Sequence, residues 1–147
     1  MKKSKVIFGD PKIKPKKVNK AKLLKKYKKE LWELCKIYCR KKWGNTCYTC
    51  GAKNLYGCNQ QTGHFIPSCL CPFELDYHPD NLRIQCMRCN KWAGGNQSQY
   101  AENLKMDYGQ FYIDILFEMK NQPKITKPSL EDYENYIEKY KQLIKKL

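Results

Sequence analysis

Two Cys-x-x-Cys knuckles, Cys47-Tyr-Thr-Cys50 and Cys86-Met-Arg-Cys89, constrain this 147-residue chain more than any other feature. Each pair sets two thiolates on a tight turn and so can occupy two corners of one tetrahedral zinc ion. Four thiolates close the shell and leave no position for water. The spacing therefore predicts a structural zinc site that clips together segments separated by 35 residues, and its binding free energy becomes folding free energy. Nine cysteines would suit a secreted disulfide scaffold by number. The odd count and the two knuckles favour metal in a reducing compartment over disulfides or a redox dithiol. Cys58, Cys69 and Cys71 lie between the knuckles, where they can compete as ligands, and Cys35 and Cys39 sit one helical turn apart. All five are expected to be buried apolar residues.

The length allows one domain plus an arm. Residues 1–18, with Lys12, Lys14, Lys16 and Lys17 interrupted by Pro11 and Pro15, have no apolar periodicity and read as a flexible basic arm. From Asn19, a candidate N-cap, apolar residues recur at Leu24, Tyr27, Leu31, Leu34, Cys35 and Tyr38. Those steps of three and four predict a helix to about Lys42, ended by Gly44. The segment 46–95 is rich in Cys, Gly, Asn and Pro, with short strand-like pieces at 63–66 and 82–85. So small a core needs a staple. Residues 97–107 and 110–120 read as helices separated by Gly109. Pro123 and Pro128 then punctuate a linker, and Ser129 caps a last helix. Its stripe of Leu130, Tyr133, Tyr136, Ile137, Tyr140 and Ile144 suits packing or homodimer contact. The expected organisation is an arm (1–18), an N-terminal helix (19–45), a stapled core (46–108) and a helical extension (109–147), of the α+β class.

Charge narrows the partner. Residues 1–46 carry 17 Lys and Arg against three acids, whereas 12 bases and 11 acids remain downstream. Such a block can bind nucleic acid by counterion release, dock on an anionic membrane, or simply be solvated. No stretch approaches the ~20 apolar residues of a membrane span, and the N-terminus lacks the apolar core of a secretory signal, so a cytoplasmic protein is expected.

Between the knuckles stand Thr62-Gly63-His64-Phe65-Ile66-Pro67 and His78-Pro79-Asp80-Asn81-Leu82-Arg83-Ile84-Gln85-Cys86, and Cys89-Asn90-Lys91 closes the second knuckle. This order resembles the HNH (ββα-metal) nuclease pattern in its zinc-bearing, Asn-ended form. It is most similar to the phage NinG/Rap recombination family and more distantly to recombination endonuclease VII. The similarity covers residues 20–108, including Leu31-Trp32-Glu33-Leu34 and Gly95-Asn96-Gln97-Ser98-Gln99-Tyr100.

The resemblance implies a metal-dependent endonuclease acting on branched, Holliday-junction-like DNA in the bacterial host cell. His64 matches the general base, and a neutral imidazole, with an ordinary pKa of about 6.5, can take a proton from water. Asn90 matches a ligand of catalytic Mg²⁺ or Mn²⁺, and Asn81 matches a residue that braces the loop carrying His64. Many HNH enzymes place Asp before the catalytic His, where this chain has Gly63. Asp76, Asp80, Glu74 or His78 then become candidates for the missing ligand. Lys25, Lys28, Lys29, Lys36, Arg40, Lys41 and Lys42 are candidate phosphate contacts, with Arg83, Arg88 and Lys91 positioned near the cleaved strand. A general HNH nicking enzyme and a non-catalytic zinc-ribbon DNA-binding protein are the competing readings.

Overall fold

The computed structural model describes residues 19–123 and 127–147; the arm expected over 1–18 lies outside them. Helix α1 (Lys20–Trp43) starts where the Asn19 side chain accepts a hydrogen bond from the Lys22 amide, and it stops at Gly44, whose φ of 70° lets its N–H close on the Arg40 carbonyl. Its buried side, Leu31, Cys35, Tyr38 and Cys39, carries the expected periodicity.

A two-stranded antiparallel hairpin lies against that side. Strand β1 (Gln61–His64) pairs with β2 (Leu82–Gln85), with Gln61 opposite Gln85, Gly63 opposite Arg83 and His64 opposite Leu82. The first strand begins and ends two residues earlier than its apolar run suggests. Phe65 and Ile66 leave the strand to fill a second core, so the run marks burial rather than pairing. The long hairpin connection includes a single helical turn, α2 (Phe73–Asp76). After β2 comes a five-residue π-helical turn (Arg88–Trp92), then α3 (Gln97–Tyr108), α4 (Gln110–Lys120) and α5 (Leu130–Lys145).

Two apolar clusters result. One gathers Leu31, Cys35, Cys39, Leu82 and Ile84 with Tyr133, Ile137 and Tyr140; the other joins Phe65, Ile66 and Leu75 to α3 and α4. The α5 stripe is therefore consumed inside the chain. Phe73 meets Tyr133 and Tyr136 edge to face, Tyr140 packs edge-on against Tyr38, and its hydroxyl donates to the Tyr77 carbonyl at 2.9 Å. Of the two uses expected for this stripe, packing and homodimer contact, the structure shows packing, against α1 and the hairpin connection.

Two of the five remaining cysteines also depart from expectation. Cys35 and Cys39 are buried, and desolvation pushes both thiols up to about 12. Cys71 is half-buried, whereas Cys58 and Cys69 are exposed on single 3₁₀ turns.

The α1–α5 contact carries a direct test. Tyr140→Phe should cost about 1–2 kcal/mol, from one lost hydrogen bond and an unpaired carbonyl. Tyr140→Ala should cost about 3–5 kcal/mol by opening a cavity. Urea unfolding measures both, and losses below about 0.5 kcal/mol would show that α5 is not part of the core.

Candidate functional site

The two knuckles close on one another. The ligand atoms of Cys47, Cys50, Cys86 and Cys89 all lie within 4.8 Å of one another, and the Cys50 and Cys86 sulfurs are 3.8 Å apart. Four sulfurs about 2.3 Å from a central ion stand at just such edge lengths, so the cluster can hold a tetrahedral zinc ion. The local backbone is shaped for it: Gly51 donates to the Cys47 carbonyl at 2.9 Å with a φ of 73°, and Asn90 donates to the Cys86 carbonyl at 2.9 Å. Donors already face the sulfurs, Thr49 Oγ1 near Cys47 and Asn96 Nδ2 near Cys89. Desolvation raises the Cys47 thiol, but hydrogen bonds from Thr49 and neighbouring amides outweigh it and hold Cys47 down at about 6. Desolvation and the crowded neighbouring thiols push Cys86 up to about 12. Four thiols this close cannot all ionise without a cation.

His64 ends β1 and faces α1. Its ring stacks on Trp32, with centroids 5.4 Å apart and planes 6° from parallel. Its Nε2 lies 3.0 Å from the Asp76 carbonyl oxygen and 3.1 Å from Asp76 Oδ1. Both partners can only accept, so Nε2 carries the hydrogen and a neutral ring keeps its lone pair on Nδ1. The Asp76 backbone carbonyl thereby orients the imidazole, with the Asp76 carboxylate beside it. Of the other ligand candidates from the turn, His78 Nδ1 accepts from the Asp80 amide, and Asp80 lies 3.9 Å from His78. Asn81 is fully buried. It accepts from the Ile66 amide at 2.7 Å and donates to the Ile66 and Leu75 carbonyls, pinning the chain that leaves His64 to the start of β2.

Asn90 stands on the other side of the hairpin. Strand alternation sends Thr62 and His64 toward α1, and Gln61 and Gly63 toward the turn bearing Asn90. Asn90 Nδ2 donates to Gln61 Oε1 at 2.8 Å. His64 and Asn90 therefore do not touch, and Trp32 stands between two open clefts. One, of about 520 Å³, is lined by Lys25, Lys28, Lys29, His64 and Asp76. The other, of about 420 Å³, is lined by Lys36, Arg40, Gln61, Asn90 and Lys91. Steps of three and four along α1 put Lys25, Lys28, Lys29, Trp32, Lys36 and Arg40 on one stripe spanning both.

A family model described as bacteriophage lambda NinG protein matches residues 9–147. The chain belongs to the NinG family. Neither curated proteins nor solved structures yield a significant match. Within this NinG-family chain no described helix is long and apolar enough to cross a membrane.

One expected DNA contact is corrected. Arg83 is 1% exposed; its guanidinium donates to the Pro79, Asp80 and Leu82 carbonyls and to the Tyr112 hydroxyl, and lies 4.1 Å from the Trp43 ring centroid. It is an internal strut, which its sequence position in a half-polar strand did not reveal. Arg88 is exposed and turned toward Cys50, while Lys41 and Lys42 fall outside both clefts, Lys42 donating to Tyr38. Sequence reading also missed that Trp32 stacks on His64 and that Gln85 is fully buried. The tryptophan's place on the lysine stripe was a usable signal, and nothing in the local pattern singled out the glutamine.

Purified from zinc-containing medium, the protein should hold one zinc per chain by metal analysis. Cys86→Ser or Cys89→Ser should abolish that occupancy, while Cys58→Ser and Cys69→Ser should leave it intact. Zinc retained after loss of a knuckle cysteine would contradict the four-sulfur site.

Proposed function

We propose that this NinG-family chain is a metal-dependent DNA endonuclease of the HNH type that hydrolyses phosphodiester bonds in branched recombination intermediates. The observation that carries the reading is His64, clamped between Trp32 and Asp76 so that Nδ1 is its proton-accepting nitrogen, in a cleft walled by lysines. A hairpin followed by a helical turn that begins inside a Cys-x-x-Cys knuckle supports the HNH comparison. The branched substrate rests on family membership.

In this mechanism His64 Nδ1 removes a proton from the attacking water, while the Asp76 carbonyl fixes the tautomer. Lys25, Lys28, Lys29, Lys36 and Arg40 bind phosphates on either side of the scissile bond without reading sequence. Asn81 holds the backbone that presents His64, so its role is positioning. The zinc would be structural, held by Cys47, Cys50, Cys86 and Cys89. Asn90 Oδ1 suits a hard cation, and Mg²⁺ or Mn²⁺, when bound, would supply charge stabilisation at the phosphate. Because His64 and Asn90 line different clefts, the phosphodiester would have to pass Trp32 to engage both.

Equal amounts of four-way junction, flap and linear duplex, incubated with the protein and Mg²⁺, test the proposal. Preferential nicking of the junction is expected. His64→Ala should lower the cleavage rate by roughly 100-fold or more while retaining DNA binding. Equal cutting of the three DNAs would reduce the protein to a general HNH nicking enzyme. Binding without any cleavage in Mg²⁺ or Mn²⁺ would leave a zinc-stapled DNA-binding protein.

A paired charge reversal tests the stripe. Lys28→Glu with Lys29→Glu should weaken binding of all DNA forms and make the slope of log affinity against log salt shallower by about two. An unchanged slope would place the phosphate contacts elsewhere.

A further inference from the structure

Gly63 is explained by space. Its backbone is not in the left-handed region, yet a Cβ built on it would stand 1.9 Å from Gln85 Oε1 and 2.9 Å from Asn90 Oδ1. No side chain fits unless Gln85 moves. Gln85 is fully buried and held: Nε2 donates to the Gly95 carbonyl at 2.7 Å and to Thr49 Oγ1 at 3.2 Å. Because the Gly95 carbonyl can only accept, the amide cannot be turned over, and Oε1 is left buried without a hydrogen-bond partner. A second chain of bonds fixes Asn90 in the same way. Gln61 Nε2 donates to the Cys58 carbonyl at 2.9 Å, so Gln61 Oε1 must accept from Asn90 Nδ2, which turns Asn90 Oδ1 toward Gly63. Among the described residues no donor reaches that oxygen either.

Two locked amide oxygens thus face one spot with nothing positive between them. Like dipoles converging in a buried site are costly unless a cation or donor joins them. Asp76 lies against His64 in the cleft of Lys25, Lys28 and Lys29, whereas Asn90 opens onto the cleft of Lys36, Arg40 and Lys91. We propose that Gln85 supplies, with Asn90, the second protein oxygen for the divalent cation, occupying the space a carboxylate on residue 63 would take. This inference rests on the nuclease reading above. Two neutral ligands leave the ion's double charge intact, so waters and DNA phosphate must complete its shell. Affinity for the free ion is consequently weak, and cation and DNA strengthen each other's binding.

The test uses zinc-loaded, ¹⁵N-labelled protein titrated with Mn²⁺ and followed by NMR. Wild type should lose the Gln85 side-chain amide signal to paramagnetic broadening before those of Gln99 and Gln110. Gln85→Met should weaken Mn²⁺ binding at least tenfold with zinc content unchanged. Gly63→Asp combined with Gln85→Ala, which moves the ligand across the hairpin, should restore it. A Gln85 signal that stays sharp at Mn²⁺ concentrations supporting cleavage overturns the ligand assignment and leaves the nuclease standing. Broadening at Gln85 without cleavage of any DNA keeps the cation site and removes the nuclease.

Discussion

Four sulfurs brought within 4.8 Å of one another set the conditions for the rest of this molecule. The first knuckle follows α1 directly and also donates the Tyr48 amide to the Ile84 carbonyl, so it lies along the far edge of β2. The second knuckle begins where β2 ends and delivers Asn90 beneath β1. A four-residue hairpin with a 17-residue connection has little reason to hold its register alone. A zinc ion held by the cluster would fix that register with the free energy of metal ligation, on the order of 10 kcal/mol in small zinc domains. Helices α1 and α5 then supply the apolar cover that the hairpin lacks.

Register matters because the two faces of β1 meet different surroundings. His64 looks toward α1, where Trp32 and Asp76 hold its ring, while Gly63 looks toward Asn90 and Gln85. A slip by one residue would exchange the faces. Asn81 and Arg83 guard against that slip with buried hydrogen bonds to the connection: Asn81 ties it to Ile66 and Leu75, and Arg83 ties it to Pro79 and Asp80. Both polar side chains are buried in service of the hairpin's shape, which explains why a strand with Arg and Gln at alternate positions lies wholly inside.

Features encoded by local spacing were legible from sequence. The knuckles, the capped helix α1, the break at Gly109 and the Ser129 capping box all follow from contacts within a few residues. Features that depend on a distant partner were not. The α5 stripe was visible, but its target was not, since an apolar face fits a second copy or the same chain equally well. Arg83 read as a surface base because its stacking partner Trp43 and hydrogen-bond partner Tyr112 come from separate helices. Gln85 was overlooked for the same reason: its meaning arises only where Gly63, opposite Arg83 on the neighbouring strand, leaves room for its oxygen.

Amide hydrogen exchange on the zinc-loaded protein, before and after stripping with a chelator, tests the dependence of the fold on the sulfur cluster most directly. Protection in β1, β2 and the Asn81 loop should collapse when the metal leaves, with α1 and α5 retaining more of theirs. A hairpin that stays fully protected without metal would contradict that dependence.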